Sequence, residues 1–229
     1  MKTFVVGDIH GAYKALCQCL ERSRFNRELD HLIVLGDVCD VYPQVRQCVD
    51  ELIKIRHCDY VLGNHDQWAI DWSLSGIVSE TWRAQGGDQT TFSYGGRPMP
   101  SAHIDFFNKA HLFLELNNVL FVHAGFDPLV PLMDQSIQKL TLDRGLVSRA
   151  YERVLENDPI KAGPYEAVFV GHTPTQNFHA DVPLQLGNIW MMDTGAGWAG
   201  RLSIMDVGTK EYWQSDTTAE LYGVEGRVY

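Results

Sequence analysis

GDIHG, residues 7–11, directly follows the apolar run TFVV (3–6), so a short strand is predicted to end in an acid and a histidine bracketed by glycines. Taken alone, such a pentapeptide reads as a turn. Four further apolar runs end in the same manner: HLIVL (31–35) into GDVCD (36–40), YVL (60–62) into GNHD (63–66), VLFV (119–122) into HAG (123–125), and AVFV (167–170) into GHT (171–173). Between the first two runs, Tyr13, Leu16, Cys17 and Leu20 recur at helical spacing, as do Val45, Val49, Leu52 and Ile53 between the second and third. The alternation reads as β-α-β-α-β, with the near-continuous apolar strands of a parallel sheet covered by helices. Ligands of open α/β sheets collect outside the carboxyl ends of the strands, where all five polar clusters fall.

The C-terminal part has a different texture. Residues 189–192, 202–205 and 212–213 read as short strands separated by the turns TGAG (194–197) and Gly208-Thr209, which predicts a meander and a second sheet. No repeat, low-complexity tract or Pro/Gly/Ser linker interrupts the chain, so a single domain over 1–229 is expected. A formal net charge of −10 argues against nucleic acid or an anionic membrane as obligate partner, because affinity for either rests on Lys and Arg neutralising phosphate. No charged segment followed by an apolar stretch opens the sequence and no long apolar run occurs, so neither a signal peptide nor a membrane span is expected, and a cytoplasmic location is. Five cysteines, at 17, 19, 39, 48 and 58, lack the spacing of a zinc site or disulfide framework and are expected to be reduced thiols. Cys39, inside GDVCD, reads as a half-buried loop cysteine rather than a redox sensor.

The clusters supply Asp8, His10, Asp37, Asn64, His65, His123 and His172 from distant parts of the chain. Carboxylates gathered together repel unless something positive lies between them, and neutral imidazole is a common transition-metal ligand. A two-metal site fits this set; such sites activate a water and clamp the oxygens of an in-line displacement. The glycines beside the donors permit sharp turns and close approach at the strand ends.

GDIHG, GDVCD, GNHD, HAG and GHT, in this order, resemble the signature blocks of the calcineurin-like metallophosphoesterases, and within them the phosphoprotein (Ser/Thr) phosphatase branch with its bacterial and phage members. Gly86-Gly87 with Thr90, Ser93 and Tyr94 resembles that branch's glycine-glycine segment, and DTGAGWAGRLSIMD (193–206) the closing strands of some bacterial members. The resemblance implies an α/β fold, a four-layer α/β/β/α sandwich of two mixed β-sheets flanked by helices. It implies two divalent metal ions, Mn²⁺ foremost with Fe or Zn²⁺ as alternatives: Asp8 and His10 on the first, Asp37 bridging both, and Asn64, His123 and His172 completing the second. In the family a metal-bridging hydroxide attacks phosphorus in line. His65 would then protonate the leaving group while Asp40 orients its imidazole. Where the family usually has an arginine after that aspartate, this chain has Val41. Arg144, in LTLDRG (140–145), is the expected phosphate clamp, with a surface ion pair to Asp143 or Glu152 as its rival reading; Arg46 is a candidate substitute for the missing side chain.

Trp68 and Trp72, four apart, are expected on one helical face, as core or as the lining of a groove. His31, His57, His103, His111 and His179 are read as structural or exposed. Segments 67–115 and 126–165 are expected to form the loops that choose the leaving group, and 215–229 an edge strand or ordered extension. The implied activity is hydrolysis of phosphomonoesters, with phosphoserine or phosphothreonine proteins or small phosphoesters as substrates. Symmetrical cleavage of dinucleoside tetraphosphates is the alternative, and a non-catalytic protein-binding scaffold the alternative from another class. Oligomeric state has no signature here.

Overall fold

The computed structural model describes residues 1–223. Strands β1 (Thr3–Val6), β2 (His31–Val34) and β3 (His57–Tyr60) pair in parallel, with Val6 opposite Val34 and Val34 opposite Tyr60. This register brings three strand ends level, so GDIHG, GDVCD and GNHD emerge side by side. β3 begins three residues before its apolar run; it is the edge of its sheet, and an edge strand is not obliged to be apolar on both faces. In the second sheet β5 (Val119–Val122), β6 (Ala167–Val170) and β8 (Ile189–Met191) are parallel, and β4 (Phe113–Leu116) and β7 (Leu184–Leu186) are added antiparallel at its edges.

The C-terminal strands are not one meander. β8 joins the second sheet, whereas β9 (Ser203–Asp206) and β10 (Tyr212–Gln214) extend the first, β9 antiparallel to β1. Each sheet therefore has five strands, in the orders β10-β9-β1-β2-β3 and β4-β5-β6-β8-β7. The chain changes sheets through residues 192–202, a crossing that local turn signals do not reveal.

Alternation along the strands sorts side chains into three cores. Val5, Ile33, Phe121, Phe169 and Met205 meet between the sheets, where the Phe121 and Phe169 rings stack at 5.3 Å. Phe4, Val6, Leu32 and Val34 face outward onto helices α1 (Tyr13–Arg22) and α2 (Val45–Ile53), which bury Leu16, Leu20, Val45, Val49 and Leu52. Leu120, Val122, Val168 and Val170 face α8 (Gly145–Leu155), which buries Leu146, Val147 and Ala150. The layers are thus α/β/β/α. Truncating a ring at the central interface, as in Phe121→Ala, costs about 3–5 kcal/mol.

Segment 67–115 is mostly helical and segment 126–165 about half helical, so neither is loop throughout. The first holds most of α3 (Asn64–Ser75), then α4 (Glu80–Trp82), a kinked turn over Arg83–Gly87, α5 (Asp88–Ser93), α6 (Ser101–Phe107) and β4; the second holds α7 (Ile137–Leu142) and α8. The C-terminal part continues past β10 into α9 (Thr218–Tyr222), where Tyr222 packs on Tyr42 at 4.5 Å; residues 224–229 lie outside the described residues. The five cysteines are unpaired, and Cys39 is fully buried with its thiol pushed well above the usual range by burial and neighbouring carboxylates.

Candidate metal centre

The turns after β1, β2 and β6 carry their donors in left-handed backbone: His10 at φ 50°, Asp37 at 48° and His172 at 62°. Such conformations at non-glycine residues cost of order 1–3 kcal/mol each and persist where surrounding contacts over-determine them. Here the contacts are backbone amides: Ile9 and His10 both donate to the Asp37 carbonyl, and Gly11 donates to that of Val38. Gly11 itself sits at φ 68°, with the Tyr42 carbonyl oxygen 2.2 Å from where a Cβ would stand, so no side chain fits there.

Asp37 lies at the centre. His10 Nε2 is 3.7 Å and His123 Nε2 3.5 Å from the same oxygen, Asp37 Oδ2. Both rings use Nδ1 against a backbone carbonyl, His10 to Cys39 at 3.0 Å and His123 to Leu35 at 2.6 Å. Since a carbonyl only accepts, each Nδ1 carries the proton, and in the neutral ring Nε2 presents its lone pair to the carboxylate. Fixing a ligand's tautomer through its other nitrogen is the usual outer-shell arrangement of metal-bound histidine. Asn64 Oδ1 lies 3.3 Å from His123 Nε2, placing an amide oxygen beside the same ring nitrogen. Two triplets of donors, His10-Asp37-His65 and Asp37-His123-His172, have ligand atoms within 4.8 Å of one another, and Asp37 belongs to both.

Electrostatics point the same way. Burial pushes Asp37 up, but His123, His65 and His10 outweigh it and hold the carboxyl well below the usual range. Burial also pushes His123 down, yet Asp37 and Asp8 raise its imidazole to about 10, a proton occupying a place suited to a cation. Burial and then Asp193 drive Asp8 well above the usual carboxylate range. His172 is driven to about 2 by burial, His123 and Arg144, so it is neutral, and its Nε2 is buried with no hydrogen-bond partner. A buried polar atom without a partner needs a reason, and the role of metal ligand supplies one. The donor set fits two divalent ions.

Of the predicted ligands, His10, Asp37, Asn64 and His172 line one pocket of about 210 Å³, together with His65 and Arg144. Asp8 is outside the two triplets; its carboxylate accepts the His172 backbone N–H at 3.0 and 3.2 Å. His65 Nδ1 donates to Asp40 Oδ2 at 2.6 Å. Asp40 is wholly buried and fully engaged, taking Trp82 Nε1–H on the same oxygen at 2.7 Å and the Thr90 hydroxyl on Oδ1 at 2.6 Å. Arg144 stands at the mouth, where α8 begins; among the described residues it forms no ion pair, and Asp143 pairs with Lys139 instead. Arg46 is not in the pocket but beside Asp50, one helical turn on, so it does not replace the missing arginine. Val41 is half-buried at φ 68° against the outer core, and its amide donates to the Gly86 carbonyl. The tryptophans split: Trp72 is core, Trp68 lines the pocket.

Several residues were not singled out from the sequence. Asp66 ends GNHD: fully buried and raised to about 6 by burial and Asp37, it accepts the amides of Val38, Cys39 and Gly63, tying two metal-block turns together. Asp193 and Trp198 reach the pocket from the sheet-changing crossing, and Gln85 from the kinked turn. A larger hollow of about 720 Å³ lies elsewhere, lined by Met1, Lys2 and Asp30, before the strands begin.

The sequence profile of the Calcineurin-like phosphoesterase family matches residues 1–198. The chain belongs to the calcineurin-like phosphoesterases. As a member of this family it is a metal-dependent phosphatase. Over 203 residues it is 29% identical to serine/threonine-protein phosphatase 1 of Salmonella typhimurium, covering 88% of this chain and 89% of that protein. Over 138 residues it is 40% identical to a symmetrical bis(5'-nucleosyl)-tetraphosphatase of Pseudomonas putida, covering 56% of this chain and 43% of that one. Among solved structures, a protein serine/threonine phosphatase from Saccharomyces cerevisiae superposes with a TM-score of 0.65 at 15% identity, over 100% of this chain and 84% of the other, which establishes the shared fold. Among the described residues no helix is long and apolar enough to cross a membrane.

Proposed function

We propose that this phosphoesterase hydrolyses phosphomonoesters, including phosphoserine and phosphothreonine in proteins, in the cytoplasm and with manganese as its preferred metal. Asp8 and His10 would hold one ion, Asn64, His123 and His172 the other, and Asp37 both. When bound, the ions activate a water and clamp the phosphoryl oxygens. The chain's own residues do the rest. His65 hands a proton to the leaving oxygen, and Asp40, locked by Trp82 and Thr90, keeps the imidazole aimed. Arg144 contacts the phosphoryl oxygens from the mouth; with Val41 apolar, it is the one Lys or Arg among the described lining residues. The net charge of −10 speaks against nucleic acid as a substrate.

The observation that carries this reading is the approach of two histidine Nε2 atoms to one oxygen of Asp37. A second reading, symmetrical hydrolysis of dinucleoside tetraphosphates, is supported by the Pseudomonas putida relative. Manganese-reconstituted protein given a serine-phosphorylated peptide and diadenosine tetraphosphate in parallel separates the two. Release of inorganic phosphate from the peptide is expected. Turnover of the dinucleotide alone moves the assignment to the second reading, and turnover of neither overturns both substrate readings.

A further inference from the structure

We infer that Trp68 and Trp198 make this site a selector for aryl phosphate monoesters, in which an aromatic ring is bonded directly to the leaving oxygen. The inference rests on the phosphomonoesterase reading and adds to it the class of leaving group. Trp68 follows His65 by three positions on α3 and so shares its face; the two rings meet edge-on, 4.9 Å apart at 68°. Trp198 arrives from the sheet-changing crossing, at the end of the short helical turn Ala196–Trp198. Gly197 in that turn lies so close to His10 that a Cβ there would stand 2.5 Å from imidazole Cδ2. The turn is thereby pressed against the metal cradle, and Trp198 joins Trp68 and Leu142 in the pocket wall.

Pocket size and the position of His65 narrow the choice. At about 210 Å³ the pocket is smaller than the roughly 300–1,000 Å³ that encloses a whole small ligand. It takes a phosphoryl group and the first atoms of whatever carries it. Hydrolysis breaks the bond from phosphorus to the leaving oxygen and forms one to the oxygen of water; the proton from His65 goes to the leaving oxygen and water restores it. The first atoms beyond that oxygen therefore lie beside His65 and against Trp68. An aryl ring there gains edge or offset contact with an indole. A seryl methylene has no π-face, and a nucleobase stands a ribose away from its phosphate, outside so small a hollow. Trp68 and Trp198 are both half-buried, and Trp68 packs against the outer core, so little side-chain freedom is lost when a ring docks.

The test compares kcat/KM for phenyl phosphate and a tyrosine-phosphorylated peptide with that for a serine-phosphorylated peptide of the same sequence. Dividing each variant by the wild type cancels the intrinsic reactivity of the leaving groups. The aryl-to-alkyl ratio is expected to fall about 3- to 10-fold in Trp68→Leu and in Trp198→Leu, and to recover largely in Trp68→Phe. A readout without turnover accompanies it: calorimetric binding of phenylphosphonate relative to methylphosphonate should shift by the same factor. Equal losses on both substrates, or an unchanged ratio while the wild type still hydrolyses them, overturns the inference and leaves the phosphomonoesterase reading intact. A wild type that releases phosphate from no monoester removes that reading, and the inference with it.

Discussion

The two sides of the metal cradle are finished differently. On the His65 side the protein satisfies itself: His65 binds Asp40, and Asp40 takes the Trp82 indole and the Thr90 hydroxyl, leaving no buried oxygen of that carboxylate unpaired. On the His172 side it does not. His172 sits at φ 62°, its imidazole is neutral, and its buried Nε2 has no partner. On the proposed reading, polypeptide alone pre-organises the proton donor, whereas a cation would complete the His172 side, and Asp37 is the group on which both depend.

Substitutions can break this contrast in order of size. Asp37→Ala, which removes the shared carboxylate, should lower turnover by more than about 10⁴-fold, because water activation and phosphoryl clamping go together. It should also abolish the rise in Tm that divalent metal gives the wild type; a variant still stabilised by metal would break the link. His65→Asn should lower kcat about 10³-fold, within the range of general acid catalysis, while the metal-induced rise in Tm stays intact. Chelation thus separates the two sides, since only Asp37→Ala should match the stripped wild type in stability. Thr90→Val, which strips one donor from Asp40, should lower kcat only about 3- to 10-fold and stability by about 1–3 kcal/mol, measured by denaturant melts.

The smallest effect lies outside the cradle. Burial would raise the Asp206 carboxyl, but Lys2 and the amides of Thr209 and Gly208 hold it below the ordinary value. A depressed folded value stabilises the protein fully above the unfolded value of about 3.9, and that contribution is lost as pH falls through the folded one. Asp206→Asn should therefore lower stability by about 1 kcal/mol at pH 7, and the gap to the wild type should close in acid below about pH 4. Tm measured against pH checks it.

The strand ends were legible because each combines an apolar run, a glycine and a donor within a few residues, and level parallel strands then bring the donors together. Helical and strand periods indicated a parallel sheet covered by helices, whereas the four-layer sandwich followed from the family resemblance. The sheet change between β8 and β9 was not legible, since a short strand carries no mark of which sheet it joins. Nor were the edge strands β4 and β7, whose exposed faces blur the alternation. The supports of Asp40 were half visible: Thr90 stood in a segment with a family likeness, but Trp82, 42 residues from its partner, has only a tertiary reason to be there. Asp193 and Trp198 owe their place to the crossing and were hidden with it.

The claim on which all of this turns is that Asp37 is shared by two cations. Anomalous diffraction from crystals soaked in Mn²⁺ tests it most directly. The account predicts two peaks about 3.5–4 Å apart on either side of the Asp37 carboxylate, one beside His10 and the other beside His123 and His172. A single peak, or two that both lie out of reach of Asp37, would contradict it.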